Sequence, residues 1–511
     1  LSGIVFIYVK IIDNVIFGRM QRKVKKSMPI RHNLIKITKL FLLSILVTTA
    51  TVFVQGERVL ASTRAEARSV AEIDHANIKR QAAKDMDNMQ LNRLQLAPFA
   101  GELNFIYSRK TGSATIILYN NETLARHSYM TNLGYLMEYL GVNARNKGYY
   151  DVRLQGGIYA IKKADVARFI PLSQIKSFPY YENKAGLVVH HVEGNPLVAN
   201  SWYLTSTLGK APTWMKQGKK YYSFSGIYFT DTPQKLGKYT QQTNAINRSA
   251  PYYDYYLYQP ARTKTSLTAA QLNGVFNKLV NNQKTKMTNT GANFITAQNK
   301  YGINALLMFT MAIHESNYGR SNFAVDRNNL FGVDAVDTNP GAAARFASVA
   351  KGIEEQGNYL SWVYADADYQ AGANYYGANL GTKSSGMNVK YASDPYWGEK
   401  IAHHYARIDR MVGTLDYQKY GLAIAPQGTR VYRDAAQKNF AHRYKPSTSL
   451  LTYMYPVVYY ESGTMATIGL EPPYNAKNQV GSRYPAGGTY NWKRGYVREA
   501  DLIIVNKAKK A

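Results

Sequence analysis

Ala305-Leu-Leu-Met-Phe-Thr-Met-Ala-Ile-His-Glu-Ser-Asn-Tyr-Gly-Arg-Ser321 is an apolar run of helical length that closes on one acid, Glu315, and leaves through a polar, Gly-containing exit. Leu306, Met308, Phe309, Met311 and Ala312 would make such a helix apolar on nearly every side, as expected at the centre of a domain. A carboxyl in its last turn loses water, and desolvation disfavours the charged form. Glu315 is therefore expected to keep its proton near neutral pH, which is what a general acid requires. The plainer reading of any Glu near a helix end is a solvated side chain; the apolar surround argues against it here. The stretch Asn328-Asn-Leu-Phe-Gly-Val-Asp-Ala-Val-Asp337 has the composition of a segment that packs close against a neighbour.

The chain has 511 residues, too many for one ordinary core, so two to four domains are expected. A net charge of +30 points to a polyanionic partner: nucleic acid, an anionic membrane or an anionic wall polymer. Cysteine is absent, which excludes disulfides, thiol nucleophiles and Cys-ligated zinc. Tyrosine is in excess, with 43 residues. Clusters such as Tyr252-Tyr-Asp-Tyr-Tyr-Leu-Tyr258 suit sugar rings, and they suit sheet faces equally.

Leu40 to Val54 is an uncharged, mostly apolar run behind a basic lead that includes Arg22 to Lys26, Arg31, Lys36 and Lys39. Its length is short for a spanning helix and fits the core of an export signal. Residues 1–54 are thus expected to be a signal or membrane anchor, with Met28 a natural start and Val59-Leu-Ala61 a passable cleavage site. Residues 55–98 are polar and charged and read as a spacer. From 99 to 262 the pattern shifts toward period two, as in Thr115 to Tyr119, Leu187 to Val192 and Tyr221 to Phe229.

Gly148 to Val166 and Tyr490 to Leu502 both close on the pattern apolar-Lys/Arg-x-Ala-Asp-apolar. Each reads as a hairpin closing a small barrel, similar to the last strands of bacterial SH3-like wall-binding modules. Such modules are expected at 99–200 and 416–511, with an aromatic β module at 201–262. Between them, Thr268-Ala-Ala-Gln271 is a capping-box signature followed by apolar residues at helical spacing. Helical patterns continue through 289–300, 303–317, 351–364 and 397–412, so 263–415 is expected to be a mainly α domain. Asp394-Pro395 reads as the N-cap and first residue of the last of these helices.

Residues 263–415 resemble glycoside hydrolase family 73, the secreted endo-β-N-acetylglucosaminidases of Gram-positive bacteria. The matching pieces are Asn304 to Met308, Met311-Ala-Ile-His-Glu-Ser316, Arg327-Asn-Asn-Leu-Phe-Gly332, Ala335-Val-Asp337 and Gly386 to Ala402, which contains Tyr391-Ala-Ser-Asp394. The stretch from Trp202 to Thr265 resembles the aromatic module that precedes the catalytic domain in the same enzymes. The resemblance implies a multidomain α+β chain in which a lysozyme-like domain is flanked by small β modules. It also implies cleavage of GlcNAc-β-1,4-MurNAc bonds of peptidoglycan, without a cofactor, in daughter-cell separation or wall remodelling. Glu315 then matches the catalytic acid and Tyr391 the aromatic facing it. Ser393 stands where the family's signature has Thr, and Trp397 where it often has Tyr. Asn329, Phe331, Gly332, Tyr318, Tyr396 and Trp397 are expected to line the sugar groove. Asp334, Asp337, Glu354 and Glu355 are candidates for the second carboxylate, with Asp337 preferred; assistance by the substrate's N-acetyl group would make a protein nucleophile unnecessary.

A muramidase or lytic transglycosylase, or a wall-binding protein without activity, are the competing readings. No zinc-protease motif or P-loop occurs, and the adjacent pairs His190-His191 and His403-His404 project in different directions, a poor arrangement for one metal. Nucleic acid would rest on charge alone and is not expected to be the partner of an exported protein. The expected partners are peptidoglycan strands and anionic wall polymers such as teichoic acids, with the membrane met only through the N-terminal segment. The expected place is outside the cell, free or wall-associated, with membrane anchoring through residues 1–54 left open.

Overall fold

The computed structural model describes residues 98–108, 115–238, 243–333, 343–366, 374–426, 428–444, 457–461, 465–469, 490, 492 and 494–509, all within one compact unit spanning Leu60–Ala511. The expected export segment and nearly all of the spacer lie outside these residues, as do Asp334 and Asp337. Among the described residues no helix is long and apolar enough to cross a membrane.

Short β-branched and aromatic runs, several of them buried on both faces, build a first antiparallel sheet from β1 (Asn104–Ser108), β2 (Ile116–Asn120), β3 (Arg126–Met130), β4 (Leu136–Val142), β5 (Tyr149–Leu154), β6 (Gly157–Lys162) and β7 (Val166–Pro171). Their order is β3-β2-β6-β5-β4-β1-β7. Ile106, Ile116, Leu118, Met130, Met137, Val152 and Ile161 close its core. A second sheet contains β8 (Tyr180–Lys184), β9 (Leu187–Glu193), β10 (Trp202–Lys210) and β11 (Lys220–Tyr221). The boundary expected at residue 200 falls between β9 and β10, which pair along their length from Trp202↔Glu193 to Lys210↔Leu187. Backbone hydrogen bonding therefore keeps residues 180–221 in one sheet.

The helical part comprises α1 (Tyr255–Tyr258), α2 (Ala269–Leu279), α3 (Gly291–Tyr301), α4 (Ala305–Glu315), α5 (Asn322–Arg327), α6 (Val349–Val363) and α7 (Trp397–Met411). Every residue of α4 is buried, from Ala305 to Glu315. Each fully buried Leu or Phe contributes roughly 1.5–3 kcal/mol, so this helix is the hydrophobic axis of the domain. The Asn304 side chain starts it by accepting from the Leu307 N–H at 3.0 Å. The capping box at Thr268 and Gln271 starts α2 reciprocally. Within the Tyr252–Tyr258 cluster, Tyr253, Tyr255, Tyr256 and Tyr258 are buried in the same core as α4 and so present no face to a sugar.

The last sheet comprises β12 (Gly421–Ile424), β13 (Arg430–Tyr432), β14 (Phe440–Arg443), β15 (Val457–Glu461), β16 (Met465–Gly469), β17 (Arg494–Arg498) and β18 (Ile503–Asn506). Its order, β14-β13-β17-β16-β15-β12-β18, repeats that of the first sheet strand for strand. The two sequence echoes occupy equivalent places. Lys163–Asp165 and Glu499–Asp501 each form a single 3-10 turn between the sixth and seventh strands.

Candidate active site

Glu315 ends α4 and is only 4% exposed. Its Oε1 accepts a 2.7 Å hydrogen bond from the indole N–H of Trp397, the first residue of α7. The Trp397 ring stacks on Tyr391, with centroids 4.5 Å apart and planes inclined by 24°. The Tyr391 hydroxyl in turn accepts from Gln356 Nε2 at 2.9 Å. Three elements thus converge on one carboxyl: α4 supplies the acid, α7 the donor and the loop before α7 the stacked phenol, which α6 holds from behind.

Trp397 is fully buried, so it presents no open face to a sugar; its role is to orient Glu315. Tyr396, expected beside it in the groove, points the opposite way. Its ring packs on Tyr135 and His190 and belongs to the core of the first sheet. Asn329 is a loop organiser. Its Oδ1 accepts from the backbone of Phe331 at 3.2 Å and Val333 at 3.0 Å, while its Nδ2 donates to Val333 and Ala344 carbonyls. Phe331 is buried by the turn that results, and Gly332 supplies a positive φ of 60°. Tyr318 is half-buried, edge-on to His404, on the exit from α4.

Glu354 and Glu355 lie on α6 in ion pairs with Lys300 and Lys351. The hydrogen bond from Lys300, seconded by Lys351, pulls Glu354 down to about 2, so it is a surface anion held by lysines. Asp394 differs from the expected helix cap: α7 begins at Trp397 with Tyr396 as its N-cap. The buried Asp394 carboxylate instead accepts from the Tyr396 N–H, the Tyr203 hydroxyl and Lys400 Nζ. A buried lysine opposite outcompetes the helix end. The histidine pairs diverge: His190 meets Glu399, whereas His191 meets Glu182. Among the described residues no group of three or more His, Asp or Glu could hold a metal.

Gln356 was not anticipated, although its signal is present. It is the polar member of a buried stripe that also contains Ile353, Gly357 and Leu360. An amide at a core position of an amphipathic helix needs a partner, and Tyr391 is that partner.

The loop preceding α7 is tied to the first sheet. The Ser128 hydroxyl donates to the Val389 carbonyl at 2.7 Å, and the Thr131 N–H to the Ser393 carbonyl at 3.0 Å. The Tyr129 hydroxyl donates to the Lys390 carbonyl at 3.3 Å. Gln155 donates to the Pro395 carbonyl at 2.5 Å and accepts from the Lys383 N–H at 3.0 Å. Gly381 and Gly386, at φ of 66° and 83°, let the loop fold onto itself; a Cβ on Gly381 would stand 2.0 Å from the Ser385 carbonyl oxygen.

Residues 291–410 match the family model described as Glucosaminidase: Mannosyl-glycoprotein endo-beta-N-acetylglucosaminidase. They form a glucosaminidase domain. Two Streptococcus pneumoniae proteins, from strains TIGR4 and R6 and each named "Putative endo-beta-N-acetylglucosaminidase", are 35% identical over 239 residues. That stretch is 47% of this chain and 31% and 29% of the relatives, so less than a third of each relative is spanned. Among solved structures, Staphylococcus aureus Autolysin E is similar at 20% identity and a TM-score of 0.25, over 31% of this chain and 72% of that one. A catalytic mutant of the same autolysin in complex with disaccharide NAG-NAM is similar at 18% identity and a TM-score of 0.25, over 36% of this chain and 82% of that one. Within the glucosaminidase domain lie Glu315, Tyr391, Gln356 and Trp397, so the whole constellation falls inside the matched residues.

Proposed function

We propose that the chain is an exported endo-β-N-acetylglucosaminidase that hydrolyses the GlcNAc-β-1,4-MurNAc bond of bacterial peptidoglycan. The observation that carries this reading is the buried Glu315 carboxyl, aimed by the Trp397 N–H inside a glucosaminidase domain. Oε1 accepts from the indole, which leaves Oε2 as the oxygen assigned to carry the proton that is transferred. Glu315 gives that proton to the glycosidic oxygen as the C1–O bond breaks. The acetamido oxygen of the same GlcNAc attacks C1 and holds the positive charge; water then opens the adduct and returns a proton to Glu315. Tyr391 stacks on the tryptophan that bonds to the acid, and its proposed part is to orient the acetamido group. Asp337, as a carboxylate that would activate the water directly, is the other route.

The sheets on either side are proposed as SH3-like wall-binding modules, and the excess positive charge as the attraction to teichoic-acid phosphates. Exposed charges are screened over about 8 Å at physiological ionic strength, so wall retention should weaken with added salt. Daughter-cell separation or wall remodelling is the proposed setting.

Digesting purified peptidoglycan and identifying the new reducing ends tests the reading. GlcNAc ends are expected; MurNAc or anhydro-MurNAc ends would make the chain a muramidase or lytic transglycosylase instead. Glu315→Gln should lower turnover by about 10²–10⁴-fold while wall binding persists. Turnover within tenfold of wild type would remove Glu315 from the acid's role, and an inactive wild type would leave a wall-binding protein.

A further inference from the structure

Lys383 is fully buried, and the oxygens around its ammonium belong to the loop that carries Tyr391. Nζ donates to the Asn388 carbonyl at 2.9 Å, to Asn388 Oδ1 at 3.4 Å and to the Ala392 carbonyl. The first sheet supplies the opposite face, with the Tyr129 ring centroid 5.1 Å from Nζ. Asn388 completes the knot by donating from Nδ2 to the Asp394 and Pro395 carbonyls at 3.1 and 2.9 Å. Tyr391 sits between these tethers, its own N–H bonded to the Met387 carbonyl at 2.8 Å.

A buried ammonium is costly to desolvate, and a short turn is easily closed by cheaper means. What the cation achieves is to pull two carbonyls four residues apart onto one point, which fixes the Asn388–Val389 and Ala392–Ser393 peptides on either side of Tyr391. We infer that Lys383 is a positioning residue for the glucosaminidase reaction: its ammonium is a built-in cation that locks the Asn388–Ala392 turn and holds Tyr391 against Trp397 and Glu315. This rests on the hydrolase reading for its kinetic consequence and on geometry alone for its structural one.

Both consequences are measurable in the full chain. Lys383→Ala and Lys383→Met should keep the far-ultraviolet spectrum of the wild type. Amide exchange over Met387–Ala392 should accelerate at least tenfold, with exchange in the last sheet unchanged. On peptidoglycan, kcat should fall at least tenfold with KM within twofold. Ethylammonium should restore part of the kcat of Lys383→Ala by occupying the vacated channel. It should do nothing for Lys383→Met, whose side chain fills it. Unchanged exchange in that turn overturns the lock even if the wild type proves inactive. With an active wild type, kcat within twofold overturns the positioning role and leaves the hydrolase reading standing. Equal amine effects on both variants also overturn it. Should neither variant fold, Asn388→Ala decides: slowed turnover at unchanged KM supports the lock, and unchanged turnover overturns it.

Discussion

The first and last sheets have one topology and two kinds of attachment. Their strand orders correspond throughout, and both interrupt the chain with a 3-10 turn at the same place. The first sheet, however, grips the loop that carries Tyr391, through Ser128, Tyr129, Thr131 and Gln155, and takes Tyr396 into its own core. The last sheet docks beside the far end of α3. The Tyr490 N–H donates to Asn299 and Lys300 carbonyls at 3.0 Å, and its ring stacks on the buried Arg262 guanidinium, 4.8 Å away. One strand order is thus attached in two ways: the first sheet by hydrogen bonds to the loop that carries Tyr391, the last by Leu422 and Ile424 in the core around α4 and by Tyr490 at the end of α3. On the proposed hydrolase reading, attachment rather than topology should decide which sheet influences turnover.

Truncating the two docking tyrosines breaks the comparison most directly. Tyr396→Ala and Tyr490→Ala each remove a buried ring, at a cost of about 3–5 kcal/mol for aromatic truncation in a core. Both should lower the thermal midpoint. Only Tyr396→Ala should also cut kcat, by at least tenfold, because the neighbouring Trp397 directs Glu315. Equal kinetic losses in the two variants would show that the attachments are not specialised.

The legible and illegible parts of the molecule divide along the same line. The central helix and its terminal acid were readable because apolar residues surround Glu315 in sequence as they do in space. The paired echoes near 166 and 502 marked equivalent strands because hairpin grammar is local. What could not be read are the contacts between parts: Ser128 lies 261 positions from Val389, and Gln155 lies 240 from Pro395. Adjacent aromatics such as Tyr396 and Trp397 look alike in sequence, yet one enters the sheet and the other the site. Asp394 read as a cap because its partners, Tyr203 and Lys400, are set by tertiary packing. The boundary expected at 200 cuts a hairpin whose pairing runs on through Lys210.

Acid sharpens the comparison next. Burial, and secondarily the Lys390 charge, brings His127 of the first sheet down to about 4, while it donates from Nε2 to the Lys383 carbonyl at 3.1 Å. Burial alone brings His442 of the last sheet down to about 3. Below pH 6.5 the unfolded chain takes up a proton that the folded histidine refuses, so the unfolded state binds more protons between about 4 and 6.5. Stability therefore rises with pH across that window and is lost as pH falls. At 1.36 kcal/mol per unit the loss at His127 reaches about 3 kcal/mol by pH 4. His127→Gln, which keeps a donor for the Lys383 carbonyl, should flatten the fall in thermal midpoint between pH 6.5 and 4. His442→Leu should do the same down to about pH 3. Only in wild type and His442→Leu should turnover decline alongside the midpoint, since His127 bonds to the Lys383 carbonyl of the loop that carries Tyr391, whereas His442 packs on Tyr444. A His127→Gln midpoint that falls as steeply as that of wild type would contradict the assignment.

The finest cut lies between neighbouring residues of one helix start. Trp397→Phe keeps a ring against Tyr391 and removes only the N–H that fixes Glu315 Oε1. A hydrogen bond to a group that is charged for part of the cycle is worth about 1.5–3 kcal/mol, so kcat should drop by about 10–100-fold with little change in midpoint. If the first sheet acts on the acid through Tyr396 and then Trp397, the variant that combines Tyr396→Ala with Trp397→Phe should lose less than the sum of the two single losses in ln kcat. Full additivity would mean that the sheet reaches the site by the other route, through Ser128, Gln155 and the Lys383 turn. The cycle therefore measures how the coupling divides between two adjacent paths, one through a ring in a core and one through carbonyls on a cation.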